Sequence, residues 1–154
     1  MTTIEKTALV YVTYIKTTPE KLWEALTKPD FIQKYWYGRR NETDLRVGGK
    51  IQSFSPEGEP EWHGEVLKCE PPNVLSYTFD TEDEAPSRVT FEIARTGDSV
   101  GEPLKLTITH DEFIEDSAVR EKVSNGWPGI VAGIKTLLET GQPLGIEWKC
   151  ASGN

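Results

Sequence analysis

The feature that most constrains the fold is a long amphipathic segment near the C terminus, from Ser117 to Thr140. Apolar residues recur in it at spacings of three and four, which is typical of a helix with one apolar face. A continuous helix of this length spans about 36 Å at ~1.5 Å per residue. Gly126 and Pro128 interrupt the pattern, so we expect a kink or a restart there, and Gly141 is a natural C-terminal stop.

The middle of the chain alternates apolar and polar residues with a period of two, which predicts strands that are buried on one face. After a first strand at 7–15, the predicted strands are 44–54, 62–70, 74–80, 88–95 and 104–113. The Gly48-Gly49 pair indicates a bulge or a sharp bend inside the strand at 44–54. The segment 55–61 is predicted as a turn from its composition.

Two short helices are predicted between the first two strands. Thr18 is suited to cap the first helix and Pro19 to open it, and Pro29 ends it. Asp30 is suited to cap the second helix, which ends near Trp36. The resulting order is a strand, two short helices, about five further strands and one long helix. It predicts an α+β fold in which a curved antiparallel sheet wraps around the long, kinked C-terminal helix.

The bulk composition excludes several classes of function. With 25 acidic residues against 17 basic ones the chain carries a net charge of −8, which disfavours nucleic acid as a partner. No apolar run approaches the roughly 20 residues of a membrane span, and no signal peptide is visible, so no membrane insertion is expected. Cys69 and Cys150 fit no metal spacing or disulfide framework, which favours a cytoplasmic location.

Four segments resemble a known family. "TTPEKLWEALTKPDFIQKYW", "DLRVGG", "HGEVLKCEPPNVLSYTF" and "NGWPGIVAGIKTLLETG" are similar to the activator of heat-shock-protein ATPase homologue-like family, and the resemblance runs from about Ala8 to Gly141. That family lies within the START or Bet v-like superfamily, also called SRPBCC or polyketide cyclase-like. The resemblance implies one helix-grip domain over 1–154, with a tail at 142–154 and an internal apolar cavity between the sheet and the C-terminal helix.

In the implied architecture the large apolar side chains become candidate ligand-binding residues. Trp36 and Tyr37 would lie at the cavity mouth. The candidates for the wall are Trp62, Tyr77, Phe79, Phe91 and Ile108, and those for the lid are Trp127, Ile130, Val131 and Ile134. The alternative is that these side chains interdigitate and leave no void, as protein interiors usually do. The polar tips of Tyr and Trp favour a pocket, because they need partners when they are buried.

Candidate catalytic residues are few, since His63 and His110 are the only histidines. His110 is followed by Asp111 and Glu112, which suggests proton transfer or a partial metal site. In an extended strand only His110 and Glu112 would share a face, and two ligands make a weak site. The alternative is a surface histidine at a strand end. We therefore assign no catalytic residue, no metal site and no cofactor from the sequence.

The favoured hypothesis is a protein that binds a small apolar molecule, aromatic or lipid-like, in the cavity that the resemblance implies. One alternative is a cyclase or dehydratase in the same cavity, with acid–base work by His110, His63 or a carboxylate. The other is a co-chaperone-like interaction module, which would need a contiguous exposed patch. An enzyme is the less favoured of these, and a homodimer is an open alternative for the assembly.

Overall fold

The computed structural model describes residues 8–145, which form seven strands and three helices. The strands are β1 (Leu9–Ile15), β2 (Arg40–Thr43), β3 (Lys50–Phe54), β4 (Pro60–Glu70), β5 (Val74–Phe79), β6 (Ser87–Arg95) and β7 (Leu104–Asp111). The helices are α1 (Pro19–Thr27), α2 (Pro29–Tyr35) and α3 (Ala118–Thr140). The strands form one antiparallel sheet in the order β1-β7-β6-β5-β4-β3-β2, which confirms the predicted α+β helix-grip class.

Irregularities in β4 bend the sheet. The register of β4 shifts against β3 between Gln52 and Phe54, and against β5 between Val66 and Lys68. Such bulges curve the strand that carries them. Gly64 lies in this region, and a Cβ atom there would stand 1.8 Å from the carbonyl oxygen of Thr78. Only glycine therefore allows β4 and β5 to approach this closely, and the curvature depends on it.

The two short helices follow their local sequence signals closely. The Thr18 hydroxyl accepts a hydrogen bond from the Lys21 backbone N–H at 3.2 Å, and Pro19 opens α1 as predicted. Helix α2 begins at Pro29 rather than after an Asp30 cap, because proline suits the first helical position. Gly133 lets α3 lie against α2, since a Cβ there would stand 2.9 Å from the Tyr35 Cβ.

Helix α3 is continuous from Ala118 to Thr140 with Pro128 inside it, so of the kink or restart expected there the restart is wrong. Ser117 caps it, because its hydroxyl accepts a hydrogen bond from the Arg120 backbone N–H at 2.9 Å. Gly141 ends the helix in the left-handed conformation, with φ of 79°, as predicted. Of the predicted tail at 142–154, residues 146–154 lie outside the described part of the chain.

The predicted strand at 44–54 is wrong in its first half. Residues Asp44 to Gly49 form the turn that joins β2 to β3, with positive φ at Leu45 and Gly48. Strand β2 was not predicted, because "RNET" is entirely polar and shows no alternation. The predicted turn at 55–61 ends earlier than expected, since Pro60 and Glu61 already belong to β4. At the other end β7 stops at Asp111, before the predicted limit at Phe113.

The core lies between the concave face of the sheet and the apolar side of α3. Each strand of the sheet's centre buries alternate side chains on that face, as the period of two predicted: Leu75, Tyr77 and Phe79 on β5, Val89, Phe91 and Ile93 on β6, and Leu104, Leu106 and Ile108 on β7. Of the helices in residues 8–145, none has the length and apolar character needed to cross a membrane.

Candidate functional site

A cavity of about 820 Å³ opens at one end of the interface between α3 and the sheet. It is bordered by the first half of α3, the end of α2, the facing parts of β4 and β5, and the loop between β5 and β6. Its lining residues are Trp36, Tyr37, Arg39, Glu61, Trp62, Phe79, Thr81, Asp83, Glu84, Ala118, Val119, Lys122, Val123, Asn125, Gly126, Trp127 and Ile130. The lining is therefore apolar on its inner side and charged at its rim.

Four aromatic rings meet at the floor of the cavity, one from the residue that follows α2 and one each from β4, β5 and α3. The ring centroid of Trp36 lies 5.4 Å from that of Trp127 and 5.8 Å from that of Trp62. Trp62 in turn lies 4.5 Å from Phe79. These separations are those of favourable aromatic pairs, so the rings support one another. The floor is a preformed apolar surface held by contacts among its own members.

The structure gathers six of the predicted ligand-binding residues around this cavity: Trp36, Tyr37, Trp62, Phe79, Trp127 and Ile130. The other five predicted residues, Tyr77, Phe91, Ile108, Val131 and Ile134, do not border it and belong to the packed interior. Tyr77 stacks on Trp62 at 5.6 Å, and Phe91 meets Trp127 edge-on at 6.2 Å. The space beside these five residues is therefore filled, and the other six border the cavity.

The charged rim was missed by the sequence reasoning. Arg39 and Glu61 face each other across the mouth, with Nε and Oε1 2.5 Å apart. Glu84 reaches from the β5–β6 loop to the start of α3, where its Oε1 accepts hydrogen bonds from the Ser117 hydroxyl and the Val119 backbone N–H. The β5–β6 loop therefore helps to cap α3 through Glu84, and this long-range bond left no signal in the local sequence.

Tyr37 ties the end of α2 to α3 at the mouth. Its hydroxyl donates a hydrogen bond to the backbone carbonyl of Gly126. Its backbone has φ of 52°, a conformation that non-glycine residues rarely adopt. Burial raises the pKa of the Tyr37 phenol, while nearby Arg39 opposes that shift. The phenol is therefore a neutral hydrogen-bond donor at ordinary pH, and it acts as a tether.

His110 is fully buried, so the expected surface histidine at a strand end is wrong. Its Nδ1 accepts the indole N–H of Trp127 at 3.0 Å. The ring proton of the neutral imidazole must then be on Nε2, which donates to the Ser87 hydroxyl oxygen at 2.7 Å. The Ser87 hydroxyl donates in turn to the Phe79 carbonyl at 3.5 Å. One directional chain of hydrogen bonds thus runs from α3 through β7 and β6 to β5.

The direction of this chain argues against catalysis by the buried Ser87–His110 pair. A serine nucleophile needs a histidine nitrogen with a free lone pair, whereas the Nε2 that faces Ser87 carries the proton. Burial lowers the pKa of His110 to about 3, against a small opposing effect of Asp111, so the imidazole is neutral. Asp111 and Glu112 pair with Arg88 at 2.8 and 3.0 Å instead of with His110.

His63 does not border the cavity either. It follows Trp62 on β4, so the two side chains point to opposite faces of the sheet. Its side chain is 43% exposed, and its Nε2 stands 3.9 Å from a carboxylate oxygen of Asp80. Within residues 8–145, no group of three or more His, Cys, Asp or Glu side chains is placed to hold a metal ion. The two histidines proposed for acid–base work therefore lie outside the cavity, whereas the carboxylates of Glu61, Asp83 and Glu84 border it.

Comparison with known proteins places the fold in a recognised family. The profile of the family described as "Activator of Hsp90 ATPase homolog 1-like protein" matches residues 16–139. A solved structure from Mesorhizobium loti is similar with 27% identity and a TM-score of 0.69, over 86% of this chain and 96% of that one. An Hsp90 activator from Plasmodium falciparum is similar with 25% identity and a TM-score of 0.67, over 85% and 95%.

The same fold recurs at lower identity. The solution structure of the Aha1 dimer from Colwellia psychrerythraea has 21% identity and a TM-score of 0.69, over 88% of this chain and 98% of that one. At this identity the likeness concerns the fold alone. No curated protein matches the chain closely enough to count as a relative.

Proposed function

The chain belongs to the Activator of Hsp90 ATPase homolog 1-like family, and on this premise we propose that it binds a small apolar molecule in the cavity at the end of α3. The ligand is an aromatic or lipid-like compound. The observation that carries the proposal is the floor of four rings, from Trp36, Trp62, Phe79 and Trp127, beneath a cavity of about 820 Å³. Small-molecule sites are typically about 300–1,000 Å³ and are lined by such side chains.

The hydrogen bonding of the floor narrows the ligand class. The indole N–H of Trp127 is used by His110. Those of Trp36 and Trp62 donate to no acceptor in residues 8–145, and neither indole nitrogen is closed off from accessible space. An accessible indole N–H beside an apolar floor can donate to a bound molecule. We therefore favour a ligand that offers an oxygen acceptor, such as a ketone or a phenol oxygen, on an apolar ring system.

Binding is favoured over catalysis because neither of the histidines proposed for acid–base work borders the cavity. His110 and Ser87 are residue types that form catalytic pairs, but neither of them borders the cavity. Nε2 of His110 also donates the hydrogen bond to Ser87, whereas a catalytic histidine would accept it. The phenol of Tyr37 is held neutral at the mouth. A cyclase or dehydratase activity in this cavity therefore stays the second choice.

A protein-interaction role is a further candidate. The observation that favours it is the likeness to the Plasmodium falciparum protein that is described as an Hsp90 activator. Such a role would use an outer surface, so it predicts no dependence on the residues of the cavity floor. The two roles can therefore be separated by substitutions in the cavity.

The test is thermal unfolding in the presence of matched aromatic compounds, a naphthalene and the corresponding acetylnaphthalene. A ligand at a hundredfold excess over its Kd stabilises the folded state by about 2.7 kcal/mol. We expect the ketone to raise the melting temperature more than the hydrocarbon does. Trp36→Phe removes one floor N–H and should reduce the ketone's effect. Trp23→Phe, on α1 and away from the lining, is the matched control.

Two results would contradict the proposal. One is a melting temperature that no compound in a broad apolar library changes. The other is a ligand response that Trp36→Phe leaves as strong as in the wild type. Mass spectrometry of each bound compound after incubation separates binding from turnover, because a cyclase or dehydratase would change the mass or the retention time of its substrate.

A further inference from the structure

The sheet has one open edge, at β1, that is available to another strand. β1 pairs with β7 on one side only and is terminal in the strand order. The Tyr14 carbonyl accepts a hydrogen bond from Lys135 Nζ at 2.5 Å, and the Lys16 backbone N–H donates to Glu139 Oε2 at 2.9 Å. Backbone groups of every second residue in a strand point to the same side. The N–H and C=O groups of Val10 and Val12 therefore also point to the open edge.

The side chains along this edge are apolar as well as exposed. Val10, Val12 and Tyr14 lie on the outer face of the sheet and are 56%, 47% and 50% exposed. On β7, Val10 and Val12 are paired with the uncharged Thr109 and Thr107. Tyr14 is paired with Lys105. A row of three large apolar side chains at alternate positions of one edge strand is a ready template for strand pairing.

The opposite edge of the sheet shows how such an edge is usually protected. β2 has four residues, Arg40 to Thr43, and two of them carry charges. Short strands and charged side chains discourage pairing with another chain. Between Ala8 and Lys16, β1 carries no charged residue. The unprotected edge is thus confined to one strand of the sheet.

We propose that the occupant of this edge is a second copy of the chain, paired antiparallel with β1 around a two-fold axis. A two-fold interface brings the same patch of both subunits together, so one strand edge that is apolar and unpaired supplies both halves. Lys135 bonds the edge-facing C=O of Tyr14, and Glu139 bonds the N–H of Lys16. The backbone groups of Val10 and Val12 are therefore the ones that pair with the partner strand. In the resulting register Val10 lies opposite Val12 of the partner subunit, and the two sheets become one.

The charges at the two ends of the edge favour the antiparallel arrangement. Lys16, Lys105 and Lys135 lie at the end where β1 finishes and β7 begins, where Glu139 is the acid that accompanies them. Asp111 and Glu112 follow at the other end, with Arg88 beside them. An antiparallel two-fold sets the basic end of each subunit towards the acidic end of the other. A parallel arrangement would set like charges side by side, which disfavours association.

The dimer would leave the cavity accessible. Its edge uses the outer face of β1, whereas the cavity opens on the inner side, between α3 and the β5–β6 loop. The inference therefore stands independently of the proposed binding function. A protein that binds no apolar ligand could still dimerise through β1. A protein that stays monomeric could still bind a ligand in the cavity.

Sedimentation velocity over a hundredfold range of concentration tests the assembly. We expect the wild-type sedimentation coefficient to rise towards that of a dimer. Val12→Lys places a charge at the centre of the edge. The monomer–dimer transition of this variant should move to at least tenfold higher protein concentration. Val47→Lys is the matched control, because Val47 is 65% exposed in the turn between β2 and β3. Equal melting temperatures of the two variants would show that both remain folded.

Disulfide trapping tests the register. In a Cys69→Ser, Cys150→Ser background, an oxidised mixture of Val10→Cys and Val12→Cys chains should cross-link more than either variant alone. A wild type that stays monomeric at the highest concentration overturns the proposal and leaves the edge for a strand of another protein. A dimer that Val12→Lys does not weaken, or cross-links that form equally at Val47→Cys, also overturns it.

Discussion

The indole N–H of Trp127 donates to Nδ1 of His110 across 3.0 Å, at a place where neither side chain is more than 2% exposed. This bond decides which nitrogen of the imidazole holds the proton. It joins α3 to β7 and supplies the acceptor that a buried tryptophan needs. Trp127 thus has two roles, since the same ring also forms part of the cavity floor.

Trp127→Phe should destabilise the fold by about 1–3 kcal/mol, because it leaves the buried His110 Nδ1 without a donor. Urea unfolding would measure the change in the free energy of unfolding. Trp23→Phe is the control, since Trp23 is only partly buried and its indole donates to no acceptor in residues 8–145. An equal loss in both variants would mean that ring volume, and not the hydrogen bond, matters at position 127.

The stability should depend on pH through His110. Burial lowers the folded pKa of His110 to about 3, below the ordinary value of 6.5. Between these two values the unfolded chain binds more protons, so the free energy of unfolding falls as the pH is lowered. The slope from one such group is at most about 1.4 kcal/mol per pH unit. The full contribution is present above pH 6.5 and is lost towards pH 3.

His110→Gln would remove this slope, because an amide can replace the acceptor and the donor without titrating. The difference between wild type and variant isolates His110 from the carboxylates that titrate in the same range. If the free energies of unfolding of wild type and His110→Gln changed in parallel between pH 4 and 6.5, the slope would not come from His110.

Gly133→Ala and Gly126→Ala should have opposite effects on stability. A Cβ at Gly133 would stand 2.9 Å from the Tyr35 Cβ and 3.4 Å from its Cα, so α2 would have to move. We expect a loss of about 1–3 kcal/mol from this overpacking. A Cβ at Gly126 meets only ordinary contacts at 3.5 Å, so alanine's helix propensity should add up to ~1 kcal/mol. Thermal unfolding of the two variants checks the sign.

Glu84→Ala should cost about 0.5–2 kcal/mol, because it removes the carboxylate that caps the start of α3. Glu84→Gln keeps an acceptor oxygen and should retain most of the stability. Asp83→Ala is the neighbouring control, since this exposed side chain makes no hydrogen bond or ion pair with the rest of the described chain. If Asp83→Ala and Glu84→Ala behaved alike in chemical denaturation, general charge removal would explain both.

The fold could largely be predicted because its elements carry local signals. Tyr77 and Phe79 on β5 alternate with polar residues, and Thr18 and Gly141 mark helix ends by their own chemistry. Strand β2 was not predicted, because it is a strand through its pairing with β3 and the residues Arg40 to Thr43 show no strand pattern. Pro128 indicated a break in α3, but packing of Trp127 and Ile130 against the sheet holds the helix together across it.

The candidate site could be predicted only in part. Trp36, Trp62 and Trp127 meet in the structure, each with its ring directed towards the interior. Tyr77 and Phe91 are also directed towards the interior, yet the curvature of β4 and the packing of α3 close the space beside them. The alternation along β7 places His110 on the same face as the buried Leu106 and Ile108. Its hydrogen-bond partner Trp127 comes from another element, so that contact had no local signal.

The one-way chain through Trp127, His110, Ser87 and the Phe79 carbonyl also has an evolutionary consequence. A change at one position that removes a donor or an acceptor leaves a buried polar atom of the next or the preceding member unmatched. The residues at positions 127, 110 and 87 are therefore expected to covary in evolution. In an alignment of relatives we expect them to be kept together, or replaced together by side chains that need no partner.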